Sequence, residues 1–367
     1  MPLPALLAAA ALGLLLLSTL EAEEELKWYD LQELGVEGKG WTDTESYYDR
    51  LPARAKGVVR DPVWNLSRNS AGLCLRFRTD ARSIHGRWSL LSANLDMNHM
   101  PSTGVSGLDL YARDETATDP RLAWRWVGLG RPEKQEGNQA RLVTGLPEGT
   151  REYLLYLPLY NGVTKVEVGV PVGANLEVVK LDEQSARPIV IYGTSITQGG
   201  CASRCGMAYP AIIGRRLNRP AINLGFSGNG QAEPEMAALL AELDPAVYVL
   251  DCLPNLSAEM TAERIEPMVK AIRAAHPQTP IVLVENISYQ AGWLLPGTKD
   301  FYVSKNEALK AGYERLTAAG VANLYYVPGG DLLGDDSEAT VDGTHATDLG
   351  FWRMAGVLTP VLREILK

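Results

Sequence analysis

The sequence predicts an α/β protein in two parts: an antiparallel β-sandwich, then a parallel sheet with helices on both faces. Three observations carry that prediction. Before residue 186 the chain runs in short apolar–polar alternations cut by Gly, Asn, Asp and Pro. After it, short wholly apolar stretches alternate with helical periodicities. The 367 residues are 46% hydrophobic and 22% charged, enough apolar material for two domains or one large one.

Taken in order, the chain starts with "MPLPALLAAAALGLLLLSTLEAEEEL". Its apolar run, Leu3 to Leu17, is shorter than the roughly 20 residues of a spanning helix and suits the core of a signal peptide. Residues 1–22 are therefore expected to be an export leader cut after Ala22, with an uncleaved anchor or a buried helix as the other readings. The stretches "GLCLRFRT", "SIHGRWSL", "GLDLYARD", "EYLLYLPLY", "TKVEVGV" and "NLEVVKL" alternate with period two and have turn residues between them. This is the pattern of a sandwich, assigned to residues 23–184.

From residue 185 the strands are "PIVIYG", "AINLG", "AVYVLDC", "PIVLVEN" and "NLYYVPG". Between them lie the helical stretches "MAYPAIIGRRL", "PEMAALLAEL", "SAEMTAERIEPMVKAIRAAH" and "KNEALKAGYERLTAAG", and "TDLGFWRMAGVLTPVLREIL" closes the chain. Strands too apolar to have a wet face, alternating with helices, imply a five-stranded parallel sheet between two helix layers. A ligand site is then expected beyond the carboxyl ends of the strands.

Formal net charge is −9 and no lysine or arginine run stands out. That excludes nucleic acid or an anionic membrane as the main partner. The four cysteines, Cys74, Cys201, Cys205 and Cys252, show no zinc-site spacing. Cys201 and Cys205 are near enough in sequence to bridge if their Cβ atoms converge.

The residues able to do chemistry fall at strand ends. "IYGTSITQGG" runs off the first parallel strand and places Ser195 in a glycine-flanked turn. Such a serine can lift its hydroxyl into the crevice beside its own N–H, or simply cap the next helix. In "NLGFSGNG", Ser227 is a rival nucleophile and the Gly228 N–H can face a developing oxyanion, or the glycines can serve only a tight turn. "LDCLPNL" ends a strand at Asn255, whose amide donates without taking up a proton, or which marks a turn after Pro254. In "VDGTHATDLGF", Asp342 stands three residues before His345. A serine hydroxyl needs a base, histidine exchanges protons near neutrality, and a carboxylate orients the imidazole. The same stretch can instead be a loop whose Thr347 or Asp348 caps the last helix.

The order Ser, Gly, Asn, Asp-x-x-His resembles the SGNH (GDSL-like) hydrolase superfamily over residues 187–367. "SGLDLYARD" resembles the G-x-D-L-Y motif of a β-rich N-terminal domain fused to one branch of these esterases, as does "DRLPARAKGVVRDPVWNLSRNSAGLCLRF". The resemblance implies a flavodoxin-like three-layer α/β/α catalytic domain over 185–367. It implies Ser195 as nucleophile, His345 as base and Asp342 as its orienter. It implies an oxyanion hole of the Ser195 and Gly228 N–H groups and the Asn255 side chain, and no metal or organic cofactor. The sequence departs from the family blocks in two places: G-D-S-L is Gly193-Thr194-Ser195-Ile196, and G-x-N-D is Leu253-Pro254-Asn255-Leu256.

The expected activity is hydrolysis of short acyl esters, acetyl above all, on a carbohydrate, by an exported enzyme. The expected partner is a small acylated substrate or an acylated glycan, with no stable membrane insertion. A lipid or thioester acylhydrolase, which needs a long apolar groove, and an inactive carbohydrate-binding protein are the alternatives. The sequence shows no amphipathic lid. Asp109 and Tyr111 of the G-x-D-L-Y motif are read as packing residues. Glu285 and Arg204 are read as surface residues, with substrate contact as the other reading, and His99 is a further candidate for substrate contact if the two domains meet at the site. Oligomeric state is not legible.

Overall fold

The structure is a computed structural model that describes residues 24–367; the expected leader, residues 1–22, lies outside the described residues. The first half contains β1 (Leu26–Asp30), α1 (Leu31–Leu34), α2 (Asp61–Ser67), β2 (Cys74–Thr79), β3 (Ser83–Leu90), α3 (Ser102–Val105), β4 (Leu108–Arg113) and β5 (Trp124–Gly130). It continues through β6 (Asn138–Thr144), β7 (Arg151–Tyr156), β8 (Val163–Pro171), β9 (Leu176–Val178) and α4 (Glu183–Ala186). Two antiparallel sheets result, ordered β1-β8-β3-β6 and β5-β4-β7-β2-β9. Strands β2, β3, β4, β7, β8 and β9 match the alternating stretches in the sequence.

Side chains alternate faces along a strand, and β4 shows the consequence. Leu108 and Leu110 join Phe77, Trp88 and Tyr153 in the sandwich core, while Tyr111 belongs to the core of the second half. The same holds for β7, where Tyr153 and Leu155 face one core and Leu154 and Tyr156 the other. This sheet is buried on both faces, which is why "EYLLYL" reads as apolar throughout.

The second half carries β10 (Ile189–Gly193), α5 (Ser195–Gln198), α6 (Tyr209–Leu217), β11 (Ala221–Gly225), α7 (Pro234–Leu240), β12 (Val247–Asp251), α8 (Ala258–Ala275), β13 (Ile281–Val284), α9 (Pro296–Ala318), β14 (Leu324–Val327) and α10 (Asp348–Ile365). All pairs in its sheet are parallel, in the order β11-β10-β12-β13-β14. Helices α6 and α10 cover one face with Ile189 and Ile191. Helices α7, α8 and α9 cover the other with Val190 and Tyr192. Strand order reverses at β10, so its carboxyl end opens into a crevice between β11 and β12. Helix α9 begins nine residues before the expected stretch starting at Lys305. Its early residues, such as Phe301, are exposed and give no apolar periodicity. All four cysteines are buried free thiols, so the Cys201–Cys205 bridge is not formed. Among the described residues no helix is long and apolar enough to cross a membrane.

Candidate active site

Strand β10 delivers Gly193 and Thr194 to the crevice. Thr194 is the N-cap of α5, its hydroxyl accepting from the Ile196 N–H at 3.2 Å, so Ser195 is the first helical residue rather than the cap. A Cβ on Gly193 would sit 2.0 Å from Thr197 Oγ1 and 2.5 Å from the Asp251 carbonyl, so only glycine fits there. Gly199, with φ +111°, ends the turn in the left-handed conformation. The Ser195 carbonyl accepts from Gly199 N–H at 3.0 Å, Gly200 N–H at 2.8 Å and the Tyr160 hydroxyl at 3.1 Å.

The structure brings Ser195, His345 and Asp342 into one line. Ser195 Oγ lies 2.9 Å from His345 Nε2, and His345 Nδ1 lies 2.7 Å from Asp342 Oδ2. The other Asp342 oxygen accepts from the N–H groups of His345 at 2.8 Å and Thr344 at 3.0 Å. Partial burial pushes the Asp342 carboxyl up, but those N–H bonds and the imidazole outweigh it and hold the group below its ordinary range. The loop is closed by Val341 N–H donating to the His345 carbonyl at 2.9 Å and by Gly343, with φ +88°, whose N–H donates to Thr340 Oγ1 at 2.9 Å. Among the described residues no histidine is bonded to the hydroxyl of the rival serine, Ser227, whose N–H donates to Gln198 Oε1 at 3.0 Å.

Gly228 and Asn255 sit on neighbouring loops. The turn after β11 folds back on the nucleophile strand, with Phe226 N–H donating to the Gly193 carbonyl at 3.0 Å and Gly228 at φ +69°. A Cβ on Gly230 would meet the Gly193 carbonyl oxygen at 2.0 Å. Gly230 N–H donates to Asn255 Oδ1 at 3.3 Å, which fixes the amide and leaves its NH₂ to face elsewhere. Neither the Gly228 N–H nor the Asn255 NH₂ has an acceptor among the described residues. Two loops are thus joined to each other and to the nucleophile turn, with donors to spare.

The first half supplies parts that the sequence reading missed. Arg50 is buried, and its guanidinium donates to four main-chain carbonyls: Leu66, Asn69, Asn223 and Gly225. It braces β11 from below. Gln198 donates to Asn69 Oδ1 and to the Leu159 carbonyl, both at 3.1 Å. Tyr160 reaches Ser195 itself. The signal for Arg50 and Asn69 was present, since both lie in the block quoted for its resemblance to the N-terminal domain. Lys305 was also missed. It is buried, its Nζ donates to the Pro254 carbonyl at 3.3 Å and stands 3.7 Å from the Phe301 ring centre. Desolvation lowers it to about 8.

Three candidates for substrate contact resolve differently. Arg204 pairs with Asp109 at 3.0 Å and donates to the Tyr111 hydroxyl. Asp109 also accepts from Trp126 Nε1 at 2.9 Å and Gly206 N–H at 2.8 Å. The G-x-D-L-Y motif therefore clasps the 200–206 loop, and Arg204 serves packing. Glu285 accepts from the Tyr326 hydroxyl and from Gly329 N–H at 2.8 Å, a structural role as well. His99 alone reaches the site, its ring centre 6.1 Å from that of His345. Among the described residues no cluster of His, Cys, Asp or Glu is arranged to hold a metal ion.

The architecture and comparisons with known proteins define a carboxylic ester hydrolase. The profile of the GDSL-like lipase/acylhydrolase family matches residues 186–363, and that of the N-terminus of SGNH-hydro-type esterases matches residues 26–176. A Bacteroides ovatus protein assigned as a GDSL-like lipase is 35% identical, with TM-score 0.85 over 93% of this chain and 98% of its own. The chain belongs to the GDSL-like (SGNH) hydrolase family. The fold is shared with the salicylyl-acyltransferase SsfX3 of a tetracycline biosynthetic pathway, 19% identical, TM-score 0.73 over 93% and 97% of the two chains. It is also shared with an acetyl xylan esterase of the rumen bacterium Butyrivibrio proteoclasticus, 11% identical, TM-score 0.56 over 93% and 98%. A search of curated proteins returned no match.

Proposed function

We propose that the protein is an exported serine esterase that removes short acyl groups, acetyl above all, from carbohydrate. The observation that supports it most is the unbroken hydrogen-bond line from Ser195 Oγ through the His345 ring to Asp342. In this reading Ser195 Oγ attacks the ester carbonyl while His345 Nε2 takes its proton. The carbonyl oxygen becomes an oxyanion, met by the Ser195 and Gly228 N–H groups and the Asn255 amide. The tetrahedral intermediate collapses as His345 gives its proton to the leaving alcohol, leaving an acyl-serine. A water then gives a proton to His345 and its hydroxide attacks the acyl carbon. The acid departs as His345 returns the proton to Ser195. Asp342, held ionised, keeps the imidazole oriented and balances its cation.

Export rests on the leader pattern, and carbohydrate on the substrate of the acetyl xylan esterase that shares the fold. One observation opens a second reading, a lipid substrate. Trp293, Leu294, Leu295 and Phe301 form an exposed apolar stretch, where the sequence reading saw no amphipathic lid.

The test is hydrolysis of 4-nitrophenyl acetate, butyrate and octanoate by the mature protein beside Ser195→Ala and His345→Ala. The expected result is a preference for acetate and a loss of at least about a thousandfold in kcat in each variant. A preference for octanoate would select the lipid reading, and activity surviving both substitutions would remove the triad.

A further inference from the structure

We propose that the alcohol part of the ester is held in a subsite built across the two halves of the chain. His99 forms one edge and the Trp293–Leu295 stretch with Val341 another, and the occupant is the sugar ring that carries the acyl group. This rests on the esterase reading and deepens it.

The side of the site follows from the chemistry. The nitrogen that takes the proton from Ser195 must next hand it to the leaving oxygen, so the alcohol leaves past His345 Nε2. Groups around the His345 ring therefore face the alcohol, while the Gly228 and Asn255 donors face the carbonyl oxygen.

Two segments meet that ring or its loop. The first is the tip of a tight turn in the first half. Met97 and Met100 exchange both main-chain hydrogen bonds, at 3.0 and 3.2 Å. Met100 is buried in the core that the two halves share, so the turn is pinned. Asn98 and His99 at its tip are exposed, and the His99 ring meets the His345 ring edge-on at an interplanar angle of 62°. The second segment runs from Tyr289 into α9. Gln290 N–H donates to the Gly343 carbonyl at 3.0 Å, and its side chain is bonded by Thr340 Oγ1, so it is strapped to the base loop. Beyond that strap Trp293 is 79% exposed and Leu294 63%. Val341, next to Asp342, is 47% exposed and puts an apolar side chain on the base loop itself. Tyr289, at the start of the stretch, stacks on Phe301 of α9 with ring centres 6.1 Å apart, which ties the stretch to that helix.

The chemistry of this rim fits a sugar better than a fatty chain. A chain is held by burying it, which needs an enclosed apolar groove. Here the apolar side chains lie open to water. Asn98 and His99, exposed at the tip of their turn, can donate and accept. A flat indole beside such groups matches a pyranose, whose C–H face is apolar and whose hydroxyls point outward.

The test compares two acetyl esters and two variants. His99→Ala and Trp293→Ala are expected to raise KM for acetylated xylo-oligosaccharide by about tenfold each, with kcat changing by less than about threefold. Methyl acetate, which offers no ring, is expected to lose at least about fivefold less in kcat/KM than the oligosaccharide does. The 4-nitrophenyl acetate to butyrate ratio is expected to hold, since the acyl side is not touched. His99→Asn, which keeps a polar tip, is expected to restore part of the loss. The subsite is overturned by equal losses on both acetyl esters, by no loss on either, or by a shifted acyl ratio. It is also overturned if the wild type cleaves methyl acetate but not the oligosaccharide. Failure of the underlying reading looks different: the wild type cleaves no ester and a fluorophosphonate does not label Ser195.

Discussion

The two sides of the Ser195–His345 hydrogen bond are built in opposite ways. Ser195 is 7% exposed and stands on a one-turn helix walled by Ile196, Thr197 and Gln198, all buried. Its turn is braced by Asn223, Gln198 and Tyr160, and β11 beside it by Arg50; two of these four come from the first half. The Asp342 and His345 side chains are 45% and 28% exposed, and their loop is held mostly by its own hydrogen bonds and the Gln290 strap. The serine side is thus preorganised by the core of the whole molecule. The base side is a local device, tuned by electrostatics and open to solvent.

That contrast predicts two kinds of damage. On the base side, Asp342→Asn is expected to lower kcat by on the order of a thousandfold or more while Tm moves by less than about 2 °C. The asparagine keeps an acceptor for the Thr344 and His345 N–H groups, so the loop holds, but it neither fixes the imidazole tautomer nor balances its charge. A matching fall in Tm would mean the base loop is as structural as the serine turn. On the serine side, Gly230→Ala is expected to cost about 1–3 kcal/mol of stability, read by denaturant unfolding, together with most of the activity. Its Cβ would lie 2.0 Å from the Gly193 carbonyl oxygen and push the Gly228 turn off the nucleophile strand. Wild-type stability in that variant would show the serine side to be looser than its packing implies.

The same contrast explains what could be read from the sequence. Strand–helix alternation and the Ser, Gly, Asn, Asp-x-x-His order are local signals, and the parallel sheet and the meeting of Ser195, His345 and Asp342 followed from them. The clasp by Asp109 was not legible, because nothing local says that alternate residues of "LDLY" face a second domain. Arg50 lies in the block that resembles the N-terminal domain, but nothing local marks it for burial, which exists because β11 offers it two carbonyls from 173 and 175 positions away. Strand β5 escaped because it bulges opposite β4, so that the consecutive Arg125 and Trp126 are both exposed and its alternation breaks, and β6 because polar Asn138, Gln139, Arg141 and Thr144 dominate it. Long-range placement, rather than propensity, decided the misses at Asp109 and Arg50.

The smallest expected effect concerns a second carboxylate that is the environmental opposite of Asp342. Asp251 ends β12 beneath α5, fully buried, and accepts from the Tyr209 hydroxyl at 2.7 Å and Thr197 Oγ1 at 3.4 Å. Burial raises it from its ordinary value of 3.8 to about 7, only partly opposed by the two hydroxyls. The sign of the linkage follows. Between about 4 and 7 the folded protein keeps a proton on Asp251 that the unfolded chain has released, so this group's contribution is whole at low pH and is lost as pH rises through about 7. Asp251→Asn, which stays neutral, removes that slope. The Tm of the variant minus that of the wild type is expected to climb from pH 4 to 7 and to level off above about pH 8. Because Thr197 lies on the nucleophile helix, the same titration is felt beneath Ser195, whereas the Asp342 carboxyl is shifted the other way, below its ordinary value, by the N–H groups and imidazole that it accepts from. A Tm difference that does not change with pH would mean that Asp251 is already ionised at pH 4, and the contrast between the two carboxylates would then fail at its buried end.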